Sequence, residues 1–369
     1  MSQKIRVLVI FGGRSGEHEV SLNSARSVLA VLDPQKYEVY QVGITHDGVW
    51  VTGDNVHAAL EKNQTASLPR VALLPYPGSK TVYRIENGAL QPWTEVDVVF
   101  PVLHGTFGED GTLQGLFELA DLPYVGAGVL GSSVGMDKAL FKDLMRMAEV
   151  PVLPSLLATR SQIEQDLPDL IARAEQFSDY PLFTKPANLG SSVGITKCRT
   201  RSDLMEGLMD AARYDRRVLI ERGLDKPREI EVSLLGNEVP QASMPGEVIP
   251  GDDFYSYRAK YLDDSSELVI PAPLSPEQIE LVQYYAVRAY QAIDCAGMAR
   301  ADFLLDRHSG ELFISEINTI PGFTRISMYP KLWAASGIAY PQLVDRLIEL
   351  ALERKADRDR TERQYGSSR

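Results

Sequence analysis

The chain has 369 residues, of which 44% are hydrophobic and 24% charged, a composition typical of a soluble globular protein with two or three domains. The formal net charge of −12 argues against nucleic acid or an anionic membrane as a partner, although a small anionic ligand needs only local positive charge. The two cysteines, Cys198 and Cys295, lie outside any CxxC pattern, which excludes a disulfide framework.

The N-terminus predicts a β-strand rather than a targeting segment. The apolar run Ile5–Phe11 is too short for the core of a signal peptide and ends in the turn Gly12-Gly13. No apolar run in the sequence approaches the roughly 20 residues needed to span a bilayer. We therefore expect a cytoplasmic protein with no membrane partner.

The first third of the chain predicts alternating strands and helices. The expected elements are strands at Ile5–Phe11, Tyr37–Ile44 and Val96–Leu103, and helices from an N-cap at Ser21 to Leu32 and at Thr112–Ala120. Residues 53–92 lack helical periodicity and are interpreted as an insertion with short strands. The β-α-β order predicts a doubly wound parallel sheet in a first domain, residues 1–125.

Two further units are expected at residues 126–224 and 225–369. Their predicted helices are Asp137–Ala148, Asp203–Ala212, Ser275–Ile293 and others within Trp333–Arg354; their predicted strands are Leu182–Lys185, Val193–Lys197, Val218–Glu221, Glu229–Leu235 and Val239–Ala242, followed by a hairpin. The predicted fold class is thus α/β followed by α+β.

The hairpin near the C-terminus gathers polar groups on one face. Arg300 and Asp302 lie two residues apart in MARADFLLD, and Glu316 and Asn318 two apart in LFISEINTIPG. Residues i and i+2 share a face of a strand, so Asp302, Glu316 and Asn318 should meet. Two carboxylates and an amide oxygen suit Mg²⁺. The alternative is a solvated polar face, as antiparallel sheets often have.

A second candidate site is the segment KPANLGSSVG, in which Lys185 ends a strand before a loop of small residues. Such a loop can turn backbone N–H groups toward a phosphate, and the lysine adds positive charge. The sequence contains neither a Walker P-loop nor GxGxxG, so a dinucleotide-binding Rossmann site is not supported. A plain hairpin turn remains the alternative.

Lys138 and Glu221 add charge to the same unit, and Glu229 adds charge near the start of the next. Lys138 lies at a helix start, where an anion would offset its unfavourable position against the helix dipole. Glu221 and Glu229, near strand ends, could accept hydrogen bonds from a nucleotide base or ribose. Taken singly, each is better explained as a solvated surface charge.

Taken together, these motifs resemble those of ATP-grasp enzymes, in the same order along the chain. Over nearly its whole length the sequence is similar to the D-alanine–D-alanine ligase family, notably in FGGRSGEHEVSLNSA, LHGTFGEDGTLQG, FYSYRAKYL and PGFTRISMYPKLW. The resemblance implies a two-part ATP-grasp fold after the N-terminal domain. It also implies ATP-dependent joining of two D-alanines through an acyl phosphate, which supplies a peptidoglycan precursor and releases ADP and phosphate.

The resemblance assigns roles to individual residues. For ATP it implies Lys138, Lys185, Ser192, Glu221, Leu224 and Glu229. For Mg²⁺, with Mn²⁺ as an alternative ion, it implies Asp302, Glu316 and Asn318. For D-alanine it implies Glu17 on the first ammonium, Ser191 and Tyr261 bonded to that glutamate, Arg300 and the N–H of Gly322 on the oxyanion, Ser327 and Met328 on the second carboxylate, and His104 near the first substrate. Without the resemblance, Glu17 would be a helix-start acid and His104 a loop residue.

The loop 251–264 is too polar for a core and too aromatic for an inert linker. We interpret it as a lid that excludes water from the acyl phosphate, with Lys260 and Tyr261 inside it. Relatives that make D-alanyl-D-lactate typically lack this Lys-Tyr pair, so an amine acceptor is favoured. The alternatives are an ATP-grasp ligase with another acceptor and a nucleotide-binding regulator without chemistry. Resemblance also implies a homodimer.

Overall fold

The structure, a computed structural model, describes residues 3–190, 193–249 and 267–362, whose strands form three sheets. The sheets occupy successive parts of the chain, at residues 5–102, 155–222 and 228–318. Predicted α/β and α+β parts are both present, in the predicted order.

The N-terminal sheet has seven strands: β1 (Ile5–Gly12), β2 (Tyr37–Ile44), β3 (Trp50–Val51), β4 (Arg70–Leu73), β5 (Thr81–Glu86), β6 (Ala89–Glu95) and β7 (Val98–Val102). Their order is β6-β5-β4-β3-β2-β1-β7. β1 pairs in parallel with β2 and β7, which confirms the parallel arrangement predicted for these strands. The segment predicted as an insertion extends the sheet as an antiparallel meander.

Helices of the first part are α1 (His18–Leu29), α2 (Val56–Glu61), α3 (Thr112–Leu119), α4 (Val129–Met136) and α5 (Lys138–Met147). The prediction that Ser21 caps α1 is wrong, because the helix begins at His18. The Ser21 side chain is buried within the helix, where its hydroxyl accepts from the Gly12 N–H at 2.7 Å and donates to the Val102 carbonyl. It joins α1 to β1 and β7, a tertiary role that a capping pattern cannot indicate.

The middle unit consists of β8 (Ser155–Thr159), α6 (Arg160–Gln165), α7 (Leu167–Phe177), β9 (Leu182–Pro186), β10 (Thr196–Cys198), α8 (Arg201–Tyr214) and β11 (Arg217–Arg222). Its four strands form an antiparallel sheet in the order β10-β9-β11-β8. Lys185 of β9 pairs with Leu219 of β11, which makes Lys185 and Glu221 diagonal neighbours on one face.

The C-terminal part holds β12 (Arg228–Gly236), β13 (Gln241–Ala242), β14 (Gly246–Ile249), β15 (Glu267–Val269), α9 (Pro276–Ala292), β16 (Gly297–Leu305), β17 (Leu312–Asn318), α10 (Met328–Ala335) and α11 (Tyr340–Arg358). The main strands run β15-β14-β12-β16-β17, with β13 on β12, and every pairing is antiparallel.

The last helix packs against the first sheet. Val344 and Leu347 of α11 share one buried core with Val7 and Val98 of the N-terminal sheet. The Arg354 guanidinium also donates to the Tyr124 carbonyl at 3.1 Å. The C-terminal helix α11 therefore packs on the N-terminal sheet, and this contact fixes the N-terminal and C-terminal parts relative to each other.

Within the described ranges, no helix combines the length and apolar character that crossing a membrane requires.

Candidate active site

The β16–β17 hairpin predicted from side-chain alternation is present. Asp302 pairs with Glu316, and Arg300 with Asn318, so all four side chains lie on neighbouring positions of one face. A bulge separates the Asp302–Glu316 pair from the Phe303–Ile314 pair, because β17 has one extra residue there, Ser315. The hairpin thereby brings together the three side chains expected to hold a metal ion.

A charged network connects this face. Arg300 places a bidentate fork on Asp302, from Nε to Oδ1 and from Nη2 to Oδ2, both at 2.7 Å. Asn318 Nδ2 donates to Asp302 Oδ2 at 2.9 Å. Glu231, which β12 places opposite Asp302, lies 2.9 Å from Arg300 Nε. Two carboxylates thus hold the arginine, and such bidentate charge-assisted bonds fix its orientation.

The donor atoms at this face fit a hard divalent ion in kind. Carboxylate oxygens of Asp302 and Glu316 and the amide oxygen of Asn318 are ligands that Mg²⁺ prefers. Among residues that the structure describes, no three Asp, Glu, His or Cys side chains form a ready metal cluster. A metal ion bound here would therefore need the amide oxygen of Asn318 as a third ligand, as the hairpin pattern indicated. Asp302 also accepts hydrogen bonds from Arg300.

Lys138 lies at the start of α5, where Asp137 caps the helix by accepting from the Leu140 N–H at 3.0 Å. Lys138 Nζ donates to the Leu189 carbonyl at 2.7 Å and lies 3.5 Å from Glu316 Oε2. One ammonium group therefore connects the loop after β9 with the hairpin, at a helix N-terminus that itself favours an anion.

A buried triad of charges lies beside Lys138. Glu221 forms ion pairs with Lys185 on one oxygen and with Lys142 on the other, and both Glu221 and Lys142 are almost fully buried. Burial would raise the pKa of Glu221, but the two ammonium groups outweigh it and hold that pKa at about 2. Two lysines face one carboxylate in this triad, which favours a further anion, although burial lowers the pKa of Lys142 and so disfavours its charged form.

These groups line one cleft between the middle sheet and the C-terminal sheet. Its walls include the apolar side chains of Leu153, Phe183 and Ile195, and its polar lining is formed by Lys138, Lys185, Glu221, Glu229, Asp302 and Glu316, with Leu224 nearby. An apolar slot that ends in positive charge suits a base and its phosphates. Lys138, Lys185, Asp302 and Glu316 all line this one cleft.

A second, smaller cavity adjoins the first and shares Lys138 and Glu316 with it. Glu17 and Glu109 reach it from the N-terminal part, and Arg300 and Gly322 from the C-terminal part. Glu17 is buried just before α1, with its N–H donating to Ser15 Oγ at 2.9 Å. Burial and the neighbouring Glu17 carboxylate raise the pKa of Glu109 to about 8. A cationic group bound between them would offset this repulsion and favour the ionised form of Glu109.

His104 lies in the wall of the second cavity, but both of its ring nitrogens are engaged. Nδ1 donates to the Ile320 carbonyl at 2.9 Å, and Nε2 lies 3.0 Å from Ser24 Oγ. Burial lowers the pKa of His104 to about 4, so the ring is neutral and Nε2 accepts from the serine. The structure thus places His104 beside the cavity as a support of its wall.

Ser327 and Met328 mark the start of α10. Ser327 is the residue before the helix, and its Oγ accepts from the Thr324 N–H at 3.1 Å. The Met328 side chain is buried against Val248 and Leu332, which leaves only its backbone N–H for a ligand. A helix N-terminus favours a carboxylate through such N–H groups.

Comparison with known proteins gives matches over nearly the whole chain. The family described as D-ala D-ala ligase N-terminus matches residues 6–127, and the family described as D-ala D-ala ligase C-terminus matches residues 144–349. The D-alanine–D-alanine ligase of Heliobacterium modesticaldum is 49% identical over 97% of this chain and 97% of the relative. That of Natranaerobius thermophilus is 46% identical over 99% and 100%.

The chain belongs to the D-alanine–D-alanine ligase family.

Solved structures show the same fold. The D-alanine–D-alanine ligase from Coxiella burnetii superimposes with a TM-score of 0.83 at 35% identity, over 97% of each chain. The VanG D-Ala:D-Ser ligase from Enterococcus faecalis gives 0.84 at 35% identity, over 95% of this chain and 100% of that one. The predicted ligase family and its ATP-grasp fold are confirmed, and membership of the family implies ATP use.

Some predicted residues lie outside the described ranges, namely Ser191, Ser192, Lys260 and Tyr261. Others were missed, although two had a signal in the sequence. Lys142 follows Lys138 by one helical turn, a spacing that puts both on one face. Glu231 follows Glu229 by two residues in a strand. Glu109 had no such signal, because its partner Ile320 lies 211 residues away.

Proposed function

We propose that the two adjoining cavities carry out the ATP-dependent ligation of two D-alanines, the first holding ATP and the second the amino acids. One observation carries the proposal: Lys138, Lys185, Asp302 and Glu316 line one cleft, and that cleft opens beside a cavity with Glu17, Arg300 and Gly322. A phosphate acceptor and a phosphate donor can meet only where such cavities adjoin, at Lys138 and Glu316.

Lys138 and Lys185 bind the phosphates of ATP in this proposal. Glu221 orients Lys185 and, with Glu229, Leu224 and Ser192, completes the nucleotide site. Support comes from the positive charge of the buried triad and the apolar slot beside it. In phosphoryl transfer, positioning and charge neutralisation provide most of the catalysis.

Asp302, Glu316 and Asn318 would hold Mg²⁺, or Mn²⁺ in its place, which neutralises charge on the phosphates when bound. Support comes from their shared hairpin face. Arg300 lies next to this set and is oriented by Glu231, and its guanidinium borders the second cavity.

The second cavity then binds both D-alanines and stabilises the intermediate between them. Glu17 binds the ammonium group of the first D-alanine, whose carboxylate takes the γ-phosphoryl group to give an acyl phosphate and ADP. The amine of the second D-alanine attacks the acyl carbon, and Arg300 and the Gly322 N–H stabilise the resulting oxyanion. The amine loses a proton, phosphate leaves, and the peptide bond forms. Ser327 and the Met328 N–H bind the second carboxylate at the start of α10.

The loop residues Ser191, Lys260 and Tyr261 are proposed to order the lid over this cavity, with Ser191 and Tyr261 bonded to Glu17. The proposal for them rests on the sequence motifs alone. Tyr261→Phe should lower turnover, and Lys260→Ala should weaken use of substrate. Unchanged kinetics in both variants would remove the lid from the mechanism.

We further propose a homodimer in the cytoplasm with D-alanine as its small-molecule substrate. Leu119 of α3 and Leu130 of α4 are exposed apolar side chains of the kind that a subunit interface covers. Sedimentation equilibrium should give twice the monomer mass. Leu119→Lys should weaken the interface and lower the measured mass toward that of the monomer.

The test of the activity is an incubation with ATP, Mg²⁺ and D-alanine in which dipeptide and released phosphate are measured. We expect one phosphate for each D-alanyl-D-alanine. D-serine and D-lactate, offered with D-alanine, test the acceptor, since a D-Ala:D-Ser ligase shares this fold. Preference for D-lactate at neutral pH would assign the chain to a different ligase, and ATP binding without any product would make it a regulator.

A further inference from the structure

The segment Ile320–Phe323, here called the 320–323 turn, connects β17 to the region before α10 and carries Gly322. Both polar backbone groups of Ile320 are held by the 104–111 loop of the N-terminal part. The Ile320 N–H donates to Glu109 Oε1 at 3.1 Å, and the Ile320 carbonyl accepts from His104 Nδ1 at 2.9 Å. One side of the turn is therefore fixed from the far end of the chain.

Phe323, on the other side of the turn, is held in the same way. Its N–H donates to Ser24 Oγ of α1 at 3.2 Å, and its carbonyl accepts from the Tyr340 hydroxyl of α11 at 2.6 Å. Between the two braced residues lie Pro321, which has no N–H, and Gly322. Within the described ranges, the Gly322 N–H has no hydrogen-bond partner.

The braces are also bonded to one another. Ser24 Oγ accepts from Phe323 and donates to His104 Nε2 at 3.0 Å, which fixes the tautomer that donates to Ile320. Glu109 uses its second oxygen to accept from the Gly105 N–H at 2.7 Å, so the loop that carries His104 is anchored as well. The turn is thus held by a continuous buried network rather than by isolated contacts.

We propose that Glu109, His104, Ser24 and Tyr340 are positioning residues that fix the 320–323 turn and so aim the Gly322 N–H at the oxyanion. The proposal rests on the proposed function, because it assigns the oxyanion to Gly322. A donor that is already in place needs no reorganisation when charge develops. A displacement of about 1 Å in such a site can cost on the order of 100-fold in rate.

A purely structural brace would behave differently from a positioning one. Losing a structural bond lowers stability and leaves the kinetics of the folded enzyme unchanged. Losing a positioning bond lowers kcat while the KM values for D-alanine and ATP stay the same, because only the transition state uses the Gly322 N–H. A residue that contacts substrate directly would instead raise KM.

Tyr340→Phe is the most conservative test. It removes only the hydroxyl that bonds to Phe323, while the ring keeps its contact with the Phe323 ring at 5.6 Å. Tyr37→Phe is the matched control, because the Tyr37 hydroxyl also bonds to α11, at Asp345 Oδ1 and 2.8 Å, yet does not reach the turn.

We expect Tyr340→Phe to lower kcat about tenfold, with both KM values within about twofold of wild type, and Tyr37→Phe to match wild type. The affinity for a phosphinate analogue of the tetrahedral intermediate should fall in parallel with kcat. Equal kinetics in the two variants would overturn the inference. So would a rise in KM at constant kcat, or a loss of kcat with no loss of analogue affinity.

Ser24→Ala provides a second variant, which removes the bonds to both Phe323 and His104. We expect a fall in kcat of about 10- to 100-fold, and a double variant with Tyr340→Phe whose loss is smaller than the product of the two. Losses that simply multiply would mean that the two residues act separately, against a single brace.

Hydrogen exchange of peptides that contain Gly322, measured without substrates, separates this inference from the activity itself. We expect faster exchange in Tyr340→Phe than in wild type or Tyr37→Phe. If wild type forms no dipeptide, the proposed function fails whatever the exchange shows. If wild type is active and neither exchange nor kcat changes in Tyr340→Phe, the positioning role alone is wrong.

Discussion

The first cavity, here the nucleotide end, and the second cavity around Gly322, here the oxyanion end, differ in the chemical groups that would bind the ligand. At the nucleotide end, the groups that would touch ligand are the charged side chains Lys138, Lys185 and Glu221. Lys185 forms an ion pair with Glu221, and Lys138 forms one with Glu316. At the oxyanion end, the Gly322 N–H belongs to the backbone, and side chains from α1, α11 and the 104–111 loop hold its neighbours. Charged side chains would bind the ligand at the nucleotide end. At the oxyanion end a backbone N–H would bind it, and side chains hold that N–H in position.

This difference predicts how each region fails. Removing a side chain at the nucleotide end removes the binding group itself and leaves its ion-pair partner exposed or unpaired. At the oxyanion end, the Gly322 N–H remains when one bracing side chain is removed, so each such substitution should displace that N–H only partly. Effects should therefore be larger at the nucleotide end, and they should extend to stability where the charges are buried.

The largest effect is expected for Lys185→Met. Loss of the phosphate-binding charge should lower kcat/KM for ATP about 100- to 1,000-fold. Removing one group that stabilises a charged transition state typically has an effect of this size. Steady-state kinetics at saturating D-alanine measure it. Lys36→Met, which removes an exposed ion pair with Asp345, is the control and should match wild type. A loss below tenfold in Lys185→Met would erase the proposed contrast between the two regions.

Lys142→Met should destabilise the protein more than it changes the ligand contacts. It leaves the buried Glu221 with one ammonium partner in place of two, which should lower the free energy of unfolding by about 3 kcal/mol or more. Denaturant unfolding measures this. Arg146→Met on the same helix, which breaks an exposed pair with Asp143, should cost under about 1 kcal/mol.

A second substitution sharpens that result. In Lys142→Met, replacing Glu221 with Gln should recover part of the lost stability, because the buried carboxylate that lost one of its two ammonium partners becomes a neutral amide. Additive losses in the double variant would show that the ion pair is not what stabilises this end.

The His104 brace predicts a pH dependence at the oxyanion end. Burial lowers the pKa of His104 to about 4, against about 6.5 in the unfolded chain, so its stabilising effect is complete above pH 6.5. As pH falls from 6.5 to 4 the unfolded state takes up the proton, and about 3 kcal/mol of unfolding free energy should be lost. His104→Gln should lack this part of the slope in urea titrations at several pH values. Parallel curves for both proteins would contradict a buried neutral imidazole.

The smallest effect is expected for Met328→Leu. Its side chain packs with Val248 and Leu332, and only the backbone N–H faces the proposed carboxylate site. A volume-conserving change should cost less than about 1.5 kcal/mol of stability and leave the KM for D-alanine unchanged. A several-fold rise in that KM would mean that the thioether itself contacts substrate.

The sequence predicted the nucleotide end better because its signals are local. Alternation of polar residues in two strands was enough to place Asp302 opposite Glu316, and the register confirms it. Lys142 was within reach of the same reasoning through its helical spacing from Lys138. Such patterns depend on the geometry of a single element or hairpin, which a few residues determine.

The oxyanion end could not be predicted in the same way. Glu109 and Ile320 are 211 residues apart, and their bond exists only because α11 and α1 bring the N-terminal sheet against the C-terminal one. Ser21 was likewise interpreted as a helix cap, although its hydroxyl joins three elements inside the fold. Backbone N–H and C=O groups are nearly the same at every residue. The sequence therefore does not indicate which side chains bond to them, and only the tertiary structure shows it.

The most direct test of the central claim is a crystal structure of the enzyme with a non-hydrolysable ATP analogue, Mg²⁺ and D-alanine. We predict the terminal phosphates between Lys138 and Lys185, the ion against Asp302, Glu316 and Asn318, and the amino acid beside Glu17. A nucleotide bound elsewhere, or an ion bound away from the β16–β17 hairpin, would contradict the account.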